Sequence, residues 1–115
     1  MKDDRIYLQH VAECIKKIED YTSEGTEVFF DTPLIQDAVM RNLEIIGEAV
    51  KNVSIELRNK HPEVSWKGAA GLRDVIIHNY MGIDIHQVWS VVERNLPILK
   101  MQIHTLLSEL QLTDE

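Results

Sequence analysis

Apolar residues recur every three or four positions along almost the whole of this 115-residue chain. That spacing is the constraint from which the fold follows. A period near 3.6 lays apolar side chains along one stripe of an α-helix. Five glycines and three prolines leave few places to turn. A first helix is predicted from about Asp4 to Tyr21, with Leu8, Val11, Ile15, Ile18 and Tyr21 on its stripe. TSEGTE then reads as a loop. The Asp31-Thr32-Pro33 start signal opens a second helix that runs to about Val53. Its stripe is Val39, Leu43, Ile46, Val50 and Val53, and Arg41, Glu44, Glu48 and Lys51 line another face as a solvated charge stripe. Ser54 starts a short turn and Pro62 closes it. The Gly-Ala-Ala-Gly run reads as a break, so a third helix is predicted only from about Leu72 to Asn79. Asp84 caps a long last helix with Ile85, Val88, Val92, Leu96, Leu99, Ile103, Leu106 and Leu110 on its stripe. Pro97 falls inside it and predicts a kink, or a restart capped by Asn95.

Residues 1–115 therefore read as one all-α bundle of four main helices. Ile45 and Ala49 add apolar positions beside the Leu43 stripe. That excess fits a dimer, and it also fits a helix buried at the bundle centre. A single cysteine, Cys14, has no internal disulfide partner, and it sits on the apolar side of the first helix as a buried structural thiol. No signal peptide and no run of roughly 18 apolar residues is visible, so a cytoplasmic protein is the expectation. The net charge of -7 disfavours a general nucleic-acid coat, whose affinity comes from cations on phosphates.

Several kinds of site are excluded at this stage. No Glu is followed by His three residues on, as a di-metal helical bundle requires. One cysteine does not build a thiolate zinc site, and no glycine-rich phosphate loop is present. No metal and no cofactor are expected. What remains is RDVIIHNY, residues 73–80. Arg73 and His78 are five apart and flank one helix face. Asp74 and His78 are four apart and stack, so Asp74 could orient or charge the imidazole. Tyr80 is seven from Arg73. The spacing is weak by itself, because Arg5 and His10 repeat it in RIYLQH. Context favours Arg73, which opens a short helix anchored by Val75, Ile76 and Ile77. An arginine paired with acids and a histidine capping a helix remain a sufficient structural account. Tyr80 packing its ring at the helix end is the equivalent account for the tyrosine. Arg58, Lys60 and His61 in ELRNKH form the best local basic patch for phosphates, or an exposed loop paired with acidic neighbours.

Four stretches together resemble the HepT toxins of the HEPN superfamily: AVMRNLEIIGEAVK (38–51), LRNKHPEVSW (57–66), GLRDVIIHNYMGID (71–84) and VWSVVERNLPILKMQI (88–103). The resemblance covers the chain from about Asp31 onward and implies a dimeric helical bundle. The family's mark is Arg, four to six residues, then His, with Tyr two beyond. It maps onto Arg73, His78 and Tyr80. The implied activity is metal-independent endoribonuclease, with tRNA among the RNAs to consider. Arg73 and His78 are then catalytic, and Asp74 and Asn79 support them or touch substrate. The implied partner is a minimal nucleotidyltransferase antitoxin, MntA, which transfers AMP to the motif tyrosine. The alternative is a non-catalytic nucleotide-binding or scaffolding partner of such a nucleotidyltransferase.

Overall fold

A computed structural model describes residues 2–78 and 84–114, with the side chains at 2, 74, 75, 77, 78 and 112–114 excepted. Seven α-helices follow one another among these residues: α1 Lys2–Tyr21, α2 Thr26–Asp31, α3 Pro33–Lys51, α4 Ile55–Lys60, α5 Trp66–His78, α6 Ile85–Ser90 and α7 Leu96–Asp114. A π-helical turn, Val91–Asn95, joins the last two. No strand occurs among the described residues. The four long helices are α1, α3, α5 and α7, as the periodicity predicts. None of the described helices is long and apolar enough to cross a membrane.

The predicted stripes become one core. Leu8, Val11, Ile15 and Ile18 meet Val39, Leu43, Ile46 and Val50, with Ile103 and Leu106 of α7 closing against them. Tyr21, placed on the first stripe by its spacing, is exposed instead. Helix α3 is the central element and packs against both α1 and α5, while α7 covers α1. Ala49 is buried within the chain. The extra apolar face of α3 thus belongs in part to a helix packed on two sides.

Three expectations need correction. The stretch read as the TSEGTE loop is shorter, because α2 already begins at Thr26. Gly25 makes the turn with φ 98°, a conformation that a Cβ disfavours. Helix α2 then sets Phe29 against Trp89 at 4.9 Å and Phe30 against His86 at 4.7 Å between ring centroids. Gln36 donates to the Phe29 and Phe30 carbonyls and ties α2 down on α3. Second, α5 starts at Trp66, six residues before Leu72. The Gly-Ala-Ala-Gly run is helical, with Ala69 buried and the Ala70 carbonyl at the close α3–α5 contact. Third, Asn95 does not cap a restart. The helix passes through a wider turn in which the Leu96 N–H donates to the Val91 carbonyl, five residues back. This turn lies directly before Pro97, whose ring has no N–H and would crowd the carbonyl four residues earlier in a regular helix.

One buried carboxylate ties the chain's start to its middle. Asp4 is 2% exposed. It accepts from the Ser54 backbone N–H at 2.8 Å and from the Ser54 hydroxyl at 2.7 Å. The same hydroxyl accepts from the Leu57 N–H at 3.2 Å and so caps α4. Charge-assisted bonds of this kind contribute more than neutral ones. Asp4→Ala is therefore expected to cost about 2–3 kcal/mol, read as a lower urea midpoint with unchanged slope.

Candidate functional site

The site is built on the contact between α3 and α5. Gly47 lies in α3, and a Cβ placed there would sit 2.7 Å from the Arg73 backbone nitrogen, 3.0 Å from the Arg73 Cβ and 3.2 Å from the Ala70 carbonyl oxygen. No side chain fits, so the two backbones touch. A mid-helix glycine costs about 1 kcal/mol relative to alanine in propensity. Here the cost is offset by a packing distance that only glycine permits.

The contact fixes where Arg73 stands. Its Nε donates to the Glu48 carboxylate at 3.0 Å, from the residue directly after Gly47. The two side chains are 40% and 54% exposed. A pair that open contributes little to stability, on the order of 1 kcal/mol or less. Its effect is to set the direction of the guanidinium at the mouth of a pocket. One helical turn earlier on α3, Arg41 pairs with Glu44 at 3.2 Å. The charge stripe read as a solvated face thus supplies the carboxylate that holds Arg73.

Arg73, Arg41, Glu44 and Glu48 share an open pocket of about 250 Å³ with Tyr7 and His10 of α1 and with Ile45, Ala49 and Asn52. A larger groove of about 310 Å³ lies elsewhere, between α5 and residues 91–102. It is mostly apolar, with Glu63 as its one charged lining residue. The chemistry therefore favours the smaller pocket. Among the described residues no group of three His, Cys, Asp or Glu side chains comes together to hold a metal ion.

Of the other motif candidates, the structure describes only the backbone of Asp74 and His78. His78 is the last residue of α5, on the same helix as Arg73. The side chains of Asp74 and His78, and Asn79 and Tyr80 altogether, lie outside the described residues. Arg5, the arginine of the second Arg-x4-His spacing, is used structurally: its Nη2 donates to the Leu110 carbonyl of α7 at 3.1 Å. His10 is exposed, as its mid-helix setting predicts. Sequence reasoning did not foresee that it would share a pocket with Arg73, since the two are 63 positions apart and no local spacing links them.

The ELRNKH patch resolves into structure. The Arg58 Nη2 donates to the Val50 and Lys51 carbonyls at 3.0 and 2.8 Å and closes the end of α3. His61 bridges Glu63 at 3.0 Å and Glu109 at 3.1 Å, which ties the loop to α7. The backbone N–H of Glu63 and the His61 ring hold the Glu63 carboxyl below the usual range. Cys14 is buried, and its burial pushes the thiol above its ordinary value. It is the inert thiol that its place on the apolar side of α1 predicts.

A bundle without strands among its described residues, whose central helix pair carries an arginine five residues before a histidine, defines a recognisable class of small helical proteins. A family model described as ribonuclease HepT-like matches residues 11–106. The chain belongs to this HepT-like family of the HEPN superfamily. It is 46% identical over 110 residues to a "gamma-glutamylcyclotransferase and putative RNase" of Methanocaldococcus jannaschii, covering 95% of this chain and 50% of that protein. It is 41% identical over 110 residues to a "putative RNase" of Caldanaerobacter subterraneus subsp. tengcongensis, with 95% and 98% covered. A "probable ribonuclease HepT" of Thermococcus cleftensis is 42% identical over 101 residues, with 87% and 92% covered. The chain thus spans half the length of one relative and nearly all of the other two. No solved structure matches it closely enough to compare.

Gly47→Ala is expected to force α3 and α5 apart at Arg73. Overpacking of this kind costs about 1–3 kcal/mol, against a propensity gain of about 1 kcal/mol. The check is a urea titration beside Gly71→Ala, where a Cβ meets nothing within 4 Å and stability should hold or rise.

Proposed function

We propose that this chain is the ribonuclease toxin of a toxin–antitoxin pair, acting on RNA in the cytoplasm as a homodimer. The observation that carries the reading is the placement of Arg73. It is held by Glu48 at an open pocket, on a continuous helix that reaches His78. Membership of the HepT-like family supports the same reading.

RNA carries its own nucleophile. In the proposed reaction the 2′-hydroxyl attacks the adjacent phosphorus, the bond from phosphorus to the 5′-oxygen breaks, and a cyclic phosphate and a 5′-hydroxyl result. His78 takes the 2′ proton or returns one to the departing oxygen. Arg73 bears the charge that builds on the phosphorane oxygens. Asp74 orients His78, and Asn79 touches the phosphate or a base. One chain supplies one arginine and one histidine. Two copies about a two-fold axis supply an acid and a base together, which is the reason for a dimer. No step in this scheme requires a metal ion.

Tyr80 is the proposed point of control. A nucleotidyltransferase antitoxin of the MntA type would transfer AMP from ATP to its hydroxyl oxygen, breaking the α–β phosphoanhydride bond and releasing pyrophosphate and the phenolic proton. The added phosphate and nucleoside would stand two residues from His78 and exclude RNA by bulk and by charge.

The second reading, a non-catalytic nucleotide-binding or scaffolding partner of the nucleotidyltransferase, is favoured by charge. The chain carries a net charge of -7, and both pocket arginines are paired with glutamates.

A labelled tRNA pool in excess EDTA separates the two. Wild type should cut it, and His78→Ala and Arg73→Ala should each lower the rate about 10²–10⁴-fold with the fold intact by circular dichroism. Equal cleavage by wild type and His78→Ala would exclude the catalytic assignment. No cleavage by unmodified wild type would leave the partner-protein reading. Tyr80→Phe should keep cleavage but refuse AMP, read by intact mass after incubation with the nucleotidyltransferase and ATP.

A further inference from the structure

The pocket beside Arg73 is more elaborate than the proposed chemistry requires. One arginine at the mouth would serve the phosphorane, yet three helices contribute side chains. Ile45 and Ala49 of α3 are the apolar part of its lining. Tyr7 and His10 contribute rings; they are three apart on α1 and so lie on one helix face. Arg41, Glu44, Glu48 and Asn52 are the polar part. Apolar surface with several polar groups beside it is the mix that small-molecule sites use.

The charges indicate what kind of group enters. Arg41 and Arg73 are each already matched by a carboxylate, at 3.2 Å and 3.0 Å. These four groups sum to zero, which suits a neutral guest better than a second phosphate. RNA-binding proteins receive single-stranded bases on aromatic rings or guanidinium planes and read their edges with polar side chains. Tyr7, His10 and Arg41 supply the planes, while Glu44, Glu48 and Asn52 supply the edge partners. His10 is exposed, so packing of the core does not account for an aromatic ring there.

We infer that this pocket is a nucleobase subsite: it takes one unstacked base of single-stranded RNA, next to the phosphate that Arg73 faces, and selects where the chain is cut. The inference rests on the ribonuclease reading for its biological role. His10 and Arg41 are then specificity-determining residues rather than catalytic ones. They act on the choice of site and on KM more than on kcat.

The test pairs binding with cleavage, using the full chain. Binding is read by fluorescence anisotropy with labelled 2′-O-methyl RNA oligomers of A, C, G and U, which lack the attacking hydroxyl. Cleavage is read by sequencing the ends cut from total RNA. Wild type should prefer one base, and His10→Ala and Arg41→Ala should weaken that binding about tenfold and flatten the preference. Both positions are surface-exposed, so folding should survive. Tyr7→Phe, which keeps the ring, should retain the preference. In the sequencing, His10→Ala should cut with relaxed site choice and raised KM. Arg73→Ala should lose cleavage yet keep base-dependent binding. Base-dependent binding that His10→Ala abolishes, in a protein that cuts no RNA, would retain the subsite and overturn the ribonuclease reading. Unchanged base preference and unchanged cut sites in both His10→Ala and Arg41→Ala would overturn the subsite. So would variants that alter only the dimer's dissociation.

Discussion

The absence of a side chain at Gly47 is the constraint on which the site depends. Backbone meets backbone there, and the Arg73 nitrogen lies only 2.7 Å from where a Cβ would be. Because main-chain atoms do not give way as a flexible side chain does, the separation of α3 and α5 is set rigidly at this point. Glu48, the next residue, is thereby brought to the Arg73 guanidinium. A residue with no functional group thus determines the geometry of two that have one. The small residues of α5 serve the same end, with Ala69 buried and Ala70 near the contact.

The rest of the bundle holds this pair of helices in place from outside. Asp4 pins the start of α1 to the cap of α4, and Arg58 of α4 closes the end of α3. His61 and Glu109 tie the following loop to α7. The Asp4 and Arg58 ties fall at helix ends, where orphan backbone groups need partners. Arg58 and His61, which looked available for phosphate, are therefore spent on architecture. Arg41, Glu44 and Glu48, which looked like a solvated stripe, reach the site. Charge type alone does not separate the two roles.

The two Arg-x4-His spacings make the same point. Locally they are alike, and each places its histidine five residues after its arginine. In the folded chain Arg5 turns to an α7 carbonyl, while Arg73 stands at the pocket. His10, left over from the first pair, lines the pocket of the second. What a spacing rule would discard as coincidence is assembled with the candidate site by tertiary structure.

The sequence by itself determined the helices, most of their buried faces and the candidate segment, since a period near 3.6 and the caps Ser54 and Asp84 are local signals. It missed α2 altogether and set the start of α5 six residues too late. Glycine and alanine read as breaks unless a neighbouring helix is known to need their small size. RDVIIHNY was legible because its residue types carry chemistry within eight positions. Only the tertiary structure decided that Glu48, Arg41 and His10 stand with Arg73. Their association comes from the packing of α1 and α5 on the two sides of α3. Packing distance depends on what faces each helix across space, which no window along the chain contains.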